Sequence, residues 1–138
     1  MLSRTPLRLS VAVIALLGII NLVRGSIHLF APDGGLEAIA GLDISQANAV
    51  VLSFIGAVGV GQLTMALVDL TAAGFCRSFV RPLLLIHTVQ AVLAVFLLFV
   101  WRPLPHAVPG QWGALIAAVL IALVMAIEFS RKDNAATT

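Results

Sequence analysis

Four long apolar runs, separated by short polar or proline-rich breaks, dominate the pattern of hydrophobic and polar positions along the chain. An α-helix rises about 1.5 Å per residue, so about 20 apolar residues cross the roughly 30 Å hydrocarbon core of a bilayer. The pattern predicts an all-α integral membrane protein, a four-transmembrane-helix bundle that forms one membrane domain over residues 1–138. The predicted spans are residues 9–30, 46–72, 78–101 and 111–130. The first run also resembles a signal peptide, but no small-x-small cleavage site ends it, so we expect it to remain as a span.

The break after the first run contains the strongest turn signal in the chain. Pro32-Asp-Gly-Gly35 cannot continue the helix, because proline lacks an N–H donor and glycine permits the chain to reverse. Leu36, Ile39 and Leu42 then recur at helical spacing among polar residues, which predicts a short interfacial helical segment after the first span. We expect residues 31–45 to form a partly helical lid outside the membrane.

The composition agrees with a membrane protein and excludes other classes. The chain is 61% hydrophobic and only 10% charged, whereas about 25% charged residues is usual for a soluble domain. Its net charge is +2, and the basic residues lie at the ends of apolar runs, so no nucleic-acid partner is expected. The single Cys76 cannot form an intramolecular disulfide, and no Cys/His cluster has metal-ligand spacing. We therefore expect no metal site and no cofactor.

The distribution of basic residues predicts the orientation of the spans. Lysine and arginine are enriched in the cytoplasmic loops of membrane proteins. Only Arg24 and Arg102 fall near one side of the four-span arrangement. The basic residues on the other side are Arg4, Arg8, Arg77, Arg81, Arg131 and Lys132. Both termini are therefore expected in the cytoplasm.

Polar side chains from three spans are predicted to share a layer near the bilayer midplane. Counted from the cytoplasmic end of each helix, Asn21, Gln62, His87 and Gln90 lie roughly 14–18 Å deep. Polar groups in hydrocarbon seek partners, so these four are expected to form an inward-facing network. Interhelical hydrogen bonds explain them without further assumptions, whereas a ligand site or a proton path would also need a cavity. We favour the structural explanation.

Asn21, Arg24 and His28 form a polar face on the first span, because residues three and four apart are neighbours on a helix. Arg24 lies about two turns inside the span, where a buried arginine costs about 2.5–3.5 kcal/mol. It therefore needs a partner, and an acidic side chain of the following loop is the favoured one. The candidates are Asp33, Glu37 and Asp43. A lipid phosphate and a carboxylate ligand are the alternatives.

Two further acidic residues, Asp69 and Glu128, lie close to the cytoplasmic ends of their spans. Basic residues are nearby in the sequence at those ends, so interfacial ion pairs are the favoured explanation. Glu128 would act as a catalytic acid or base only if a pocket reached it. No catalytic residue is predicted.

Two faces of small residues predict close packing between helices. In a membrane, small side chains allow helix backbones to approach each other, and residues four apart share a face. One such face lies on the second span and one on the fourth. Their members are Ser53, Ala57 and Gly61, and Ala114, Ala118, Ala122 and Ala126. We expect one face to close the bundle and the other to meet a partner. The alternative is that both pack within the monomer.

The motif Arg24-Gly-x-x-His28-x-Phe-x-Pro32-x-Gly-Gly35, followed by Ile39-Ala-Gly-Leu42, resembles the first helix and loop of a family of small uncharacterised bacterial four-span integral membrane proteins. This resemblance extends over approximately residues 1–60. It implies a four-span fold in the bacterial inner membrane, without implying an activity. In size and span number the chain is also similar to membrane-bound glutathione-transferase-like enzymes. Their asparagine-, glutamate- and arginine-rich loop patterns are missing, which argues against thiol-conjugating chemistry.

These features predict a small non-enzymatic membrane subunit that contacts lipid and associates laterally. It would act as a homo-oligomer or as an accessory subunit of a larger membrane complex. The alternative is a membrane enzyme or carrier that binds a small molecule. That site would use the polar face of the first span and the midplane layer, namely Asn21, Arg24, His28, Gln62, His87 and Gln90.

Overall fold

The computed structural model of the protein describes residues 6–45, 49–103 and 107–130. These residues contain no strand, which confirms the all-α prediction. The long helices are α1 (Arg8–Phe30), α2 (Ala49–Gly74), α3 (Val80–Phe96) and α4 (Pro109–Ser130). A 3₁₀ turn (Arg77–Phe79) precedes α3, and a π-helical turn (Leu97–Trp101) extends it. The predicted spans agree with these helices to within a few residues, although the expected start of the second span at Gln46 lies outside the described residues.

Four helical segments of the described chain are long and apolar enough to cross a membrane. They are α1, α2, the continuous segment Arg77–Trp101 and α4. Only 11–22% of the most apolar stretch of each segment is buried inside the chain. So much exposed apolar surface is unfavourable in water, whereas lipid tails cover it without cost. The chain is therefore a multi-pass membrane protein.

The chain divides into two compact units. The first unit consists of residues 1–14 and 72–138, and the second consists of residues 15–71. In the first unit, α3 packs against α4. In the second unit, α1 contacts α2 at Gly18, Gly25 and His28. The single membrane domain expected from the sequence stays a prediction.

Glycine allows α1 and α2 to cross closely in the second unit. A Cβ atom added to Gly25 would lie 2.8 Å from the carbonyl oxygen of Gly59. A Cβ atom added to Gly59 would likewise lie 2.8 Å from the carbonyl oxygen of Gly25. Both atoms that would be met belong to backbone, so neither can rotate away. We call this contact the Gly25–Gly59 crossing, and it depends on bare backbone that gains dispersion contacts in lipid.

The loop that follows α1 is organised by the carboxylate of Asp33. Its Oδ1 accepts the N–H of Gly35 at 2.9 Å. Its Oδ2 accepts the N–H groups of Glu37 and Ala38 at 3.0 and 2.8 Å. The hydrogen bond from Ala38, followed by that from Gly35, holds the pKa of the Asp33 carboxyl below its ordinary value. The carboxylate of Asp33 thus accepts backbone N–H groups that backbone carbonyls would accept in a regular helix.

The reversal predicted at the glycine pair is present in the loop. Gly34 and Gly35 have φ angles of +61° and +77°, which only glycine adopts without strain. Beyond them, the N–H of Gly41 donates to the carbonyl of Glu37 at 3.0 Å. The N–H of Ala40 donates to the carbonyl of Gly35 at 3.2 Å, and the N–H of Leu42 donates to that of Leu36 at 2.9 Å. The predicted interfacial helical segment is therefore a run of hydrogen-bonded turns that does not form a regular helix.

The π-helical turn at the end of α3 is completed by a side chain from α4. The N–H of Arg102 donates to the carbonyl of Leu97 at 2.8 Å, which is the five-residue spacing of a π-helix. The carbonyl of Leu98 accepts the side-chain amide of Gln111 at 3.2 Å. Gln111 is buried, so this bond satisfies a backbone acceptor and a side-chain donor together.

Candidate functional site

The best-defined polar site of the first unit is a cluster around the carboxylate of Glu128. Glu128 projects from α4 and is 5% exposed. Its Oε1 accepts the Nε–H of Arg81, at the start of α3, at 2.7 Å. Its Oε2 accepts the backbone N–H of Leu7 at 3.0 Å and the hydroxyl of Ser10. We call these four residues the Glu128 cluster.

The Glu128 cluster is a structural clamp between three helices. A buried carboxylate is costly unless it is both paired and hydrogen-bonded, and here three donors meet it. The N–H of Leu7 has no acceptor within α1, because the first N–H groups of a helix lack one. Glu128 therefore caps α1 from another helix. The ion pair expected for Glu128 is confirmed. Both carboxylate oxygens of Glu128 accept hydrogen bonds, which suits a structural contact between helices better than proton transfer.

The second buried carboxylate, Asp69, lies in the second unit. It is 0% exposed on α2, and the side-chain amide of Asn21 donates to its Oδ2 at 3.4 Å. A Cβ atom added to Gly18 would lie 3.0 Å from the Cβ of Asp69. Asp69 is about one and a half turns from the end of α2 and lies beside Gly18 of α1. The interfacial ion pair expected for Asp69 stays a prediction.

Arg24 does not form the expected ion pair with the loop. It is exposed and, among the described residues, makes no hydrogen bond or ion pair with a side chain. The carboxylate of Asp33 is engaged by backbone N–H groups of the loop, and that of Asp43 accepts the N–H of Ser45 at 2.9 Å. These donors are a few residues away in the chain and are reached at a smaller entropic cost than the distant guanidinium. The predicted intramolecular pair is therefore wrong.

His28 anchors the loop to α1. Its Nδ1 lies 2.7 Å from the carbonyl oxygen of Gly34, so this nitrogen carries the proton of the hydrogen bond. The histidine is half-buried beside Gly59, whose added Cβ would lie 3.1 Å from the Cβ of His28. The sequence had grouped His28 with Asn21 and Arg24 on one face. The structure gives each of the three a different environment.

The residues of the predicted midplane layer also have different surroundings. Asn21 directs its amide to Asp69 rather than to Gln62. The side-chain oxygen of Gln62 is buried and has no hydrogen-bond partner among the described residues. His87 is 4% exposed on α3, whereas Gln90, on the same helix, is exposed. A ligand-binding role for these residues stays a prediction.

The small-residue face of α2 is open. Ser53, Ala57 and Gly61 are exposed, and a Cβ atom added to Gly61 would meet nothing within 4 Å. A shallow surface groove of about 420 Å³ runs beside this face. Its lining consists of Ala49, Val50, Ser53, Phe54 and Ala57. α2 packs against α1 through Gly59, so the Gly25–Gly59 crossing does not bury the small-residue face of α2.

The small-residue face of α4 is divided between the interior and the surface. Ala114 and Ala118 are half-buried, whereas Ala122 and Ala126 are exposed. The half-buried pair lies toward the beginning of α4, and the exposed pair lies toward its end. The face of α2 is therefore the more open of the two predicted interfaces.

Comparisons with protein-family models, with curated proteins and with solved structures found no match to this chain. In the described part of the chain, no group of three or more His, Cys, Asp or Glu side chains is placed to hold a metal ion. The membrane classification rests on the four apolar helices.

Proposed function

We propose that this protein is a small non-enzymatic membrane subunit that associates laterally through the small-residue face of α2. It would act as a homo-oligomer or as an accessory subunit of a larger membrane complex, with lipid around its other faces. The observation that supports this proposal is the open surface at Ser53, Ala57 and Gly61. Within the described residues a Cβ atom added to Gly61 would meet nothing within 4 Å, although glycine packs tightly at the Gly25–Gly59 crossing.

The physical argument follows from how helices associate in lipid. Apolar side chains gain little by leaving lipid tails, so association depends on close packing and weak hydrogen bonds. A leucine is equally well accommodated by lipid or by protein. A small side chain allows a second backbone to approach, which gains many dispersion contacts at once. The Gly25–Gly59 crossing illustrates this inside the chain, and the face of α2 offers the same chemistry to a partner.

The proposed location is the bacterial inner membrane, with both termini in the cytoplasm. Exposed Arg8 and Arg77, together with partly exposed Arg81, support this orientation because they lie at one end of the first unit. The other basic residues on that side, Arg4, Arg131 and Lys132, lie outside the described residues. The resemblance of the motif after Arg24 to small bacterial four-span proteins supports the same location.

The alternative function, a membrane enzyme or carrier for a small molecule, receives less support. Asn21 contacts Asp69, His28 contacts Gly34, and Arg24 is exposed, so these side chains do not converge on one ligand. An observation in favour of the alternative is the buried oxygen of Gln62, which has no partner within the described part of the chain. A hydrogen-bond donor on a ligand would satisfy it.

Gly61→Leu tests the proposal directly. The added side chain would hold a partner backbone away, so we expect the dissociation constant of the complex to rise at least about tenfold, which corresponds to about 1.4 kcal/mol. Native mass measurement in a mild detergent shows the mass of the complex and the identity of the partner. Gly113→Leu is the matched control, since a Cβ atom at Gly113 also meets nothing within 4 Å.

The outcome separates the possible roles. A complex that is lost in Gly61→Leu and retained in Gly113→Leu supports the proposed interface. Ala118→Leu provides the corresponding test for α4. The subunit proposal would be overturned by a wild-type protein that is strictly monomeric and co-purifies with no other protein, together with a Gly61→Leu variant that behaves in the same way.

A further inference from the structure

We infer that Arg8, Arg77 and Arg81 form a binding site for the phosphate group of an anionic phospholipid, with the Glu128 cluster holding Arg81 in position. The site belongs to the first unit and does not depend on lateral association. The inference rests on the geometry of Arg81, the unpaired charge around it and the level at which the residues lie.

The guanidinium of Arg81 is fixed on one side and open on the other. Its Nε–H is bound to Oε1 of Glu128 at 2.7 Å, while the side chain remains 24% exposed. No hydrogen bond to either terminal nitrogen of Arg81 is present within the described residues. These two nitrogens carry four N–H groups in a rigid plane, a geometry that matches a phosphate or carboxylate. Glu128 thus pre-organises Arg81, so little side-chain entropy is lost when a second anion binds.

The other two arginines add positive charge that no ion pair neutralises within the described residues. Arg77 lies four residues before Arg81, so the two side chains are neighbours about one helical turn apart. Arg8 follows Leu7, whose N–H is bound to Glu128. Both Arg8 and Arg77 are exposed and have no ion pair within the described residues. Glu128 neutralises Arg81, whereas Arg8 and Arg77 contribute two positive charges that have no ion pair within the described residues.

The position along the helices favours a lipid over a free anion. α1 begins at Arg8, α3 begins at Val80, and α4 ends at Ser130, two residues after Glu128. The site consequently lies where the spans end, at the level of lipid headgroups. Phe75 and Phe79 flank Arg77 in the sequence and are 88% and 60% exposed. Exposed apolar side chains beside arginines suit a boundary at which acyl chains meet phosphate groups.

The test uses the purified full-length protein in detergent, titrated with phosphatidylglycerol or with phosphatidylcholine of the same acyl chains. Native mass measurement counts the lipids retained. We expect half-maximal retention of phosphatidylglycerol at a concentration at least about thirtyfold lower than that of phosphatidylcholine, because the contributions of three arginines multiply. Arg8→Gln and Arg77→Gln should each reduce this preference about threefold to fivefold, since one arginine near an anionic headgroup contributes about that factor.

Arg102→Gln is the matched control, because Arg102 is exposed at the opposite end of the α3 segment. It should leave the preference unchanged. Thermal melting of each variant confirms that the fold is retained, and Arg81 itself is left unaltered because its loss would leave Glu128 unpaired. An unchanged preference in the Arg8→Gln/Arg77→Gln double variant would overturn the inference, as would an equal reduction by Arg102→Gln.

Inorganic phosphate distinguishes a lipid site from a site for a soluble anion. In lipid-free detergent we expect phosphate at millimolar concentration to leave the melting temperature unchanged, because it lacks the acyl chains that place the headgroup at the arginines. Saturable stabilisation by inorganic phosphate that is lost in Arg77→Gln would overturn the assignment to lipid.

Discussion

The Glu128 cluster and the Gly25–Gly59 crossing join helices in opposite ways. The cluster connects α1, α3 and α4 through charge and hydrogen bonds at the ends of the spans. The crossing connects α1 and α2 through bare backbone within the spans. The cluster should tolerate changes of volume but not the loss of one partner. The crossing should tolerate changes of polarity nearby but not the addition of one carbon atom.

The largest effect is expected from Arg81→Met, which removes one partner of the ion pair. Breaking a buried pair costs about 3–5 kcal/mol, and we expect about 3 kcal/mol because Arg81 is 24% exposed. Reversible unfolding in mixed micelles measures this free energy. The double variant Arg81→Met/Glu128→Met removes both charges and should recover part of the loss, since the N–H of Leu7 and the hydroxyl of Ser10 still lose their acceptor. A double variant as unstable as the sum of both single variants would contradict the clamp.

A smaller effect is expected from Gly59→Ala. The new Cβ would lie 2.8 Å from the carbonyl oxygen of Gly25, so the helices must separate, at a cost of about 1–3 kcal/mol. Gly56→Ala on the same helix is the matched control, since its Cβ meets nothing within 4 Å. It should stabilise the protein by about 0.5–1 kcal/mol through helix propensity alone. Equal effects of the two variants in the same unfolding assay would show that the crossing is not a close contact.

The smallest effect is expected in the loop after α1, which takes part in neither the Glu128 cluster nor the Gly25–Gly59 crossing. Asp33→Ala removes the acceptor of three backbone N–H groups. We expect faster amide exchange at Gly35, Glu37 and Ala38 with little change in global melting, because the loop opens without unfolding the helices. Asp33→Asn keeps a weaker acceptor and should give an intermediate exchange rate. Exchange rates identical to those of the wild type would contradict the role of Asp33.

The same loop gives a pH dependence of defined sign. The pKa of Asp33 is lowered from its ordinary value of 3.8, chiefly by the Ala38 hydrogen bond. The charged form is therefore favoured in the folded loop, and its contribution is fully present above pH 3.8. Protection of the three amides should fall as the pH drops through the lower pKa of the folded state. Asp33→Ala should remove this dependence.

The spans were predictable from the sequence because length and apolarity alone define them. An apolar run of about 20 residues has few alternatives to a membrane helix, so the boundaries near Phe30, Trp101 and Ser130 were found within a few residues. The turn at Gly34 and Gly35 was predictable for a related reason, since proline and glycine restrict the local backbone. These are local properties of the chain.

The contacts between helices were less predictable because they depend on rotation and register. Small-residue spacing indicated Ser53, Ala57 and Gly61, whereas α1 packs on Gly59, and nothing in the spacing of four distinguishes these faces. Seven residues separate Gly18 from Gly25 and Gly59 from Ala66, a spacing that places the members of each pair on one face of a helix. The donors to Glu128 from Leu7 and Ser10 are separated from it by more than 100 residues. Separations of that size leave no local pattern.

The chain order of the Glu128 cluster has a consequence for biogenesis. Synthesis proceeds from the N-terminus, so Leu7, Ser10 and Arg81 are in place before α4 has been made. Only the last span brings the carboxylate that these donors share, and the same span brings Gln111 to the open carbonyl of Leu98. Insertion of α4 is therefore the step that completes the first unit. In a chain that ends before α4, the guanidinium of Arg81 and the donors of Leu7 and Ser10 lack the carboxylate of Glu128. Unpaired polar groups at this end of the spans therefore distinguish an incomplete chain from a complete one.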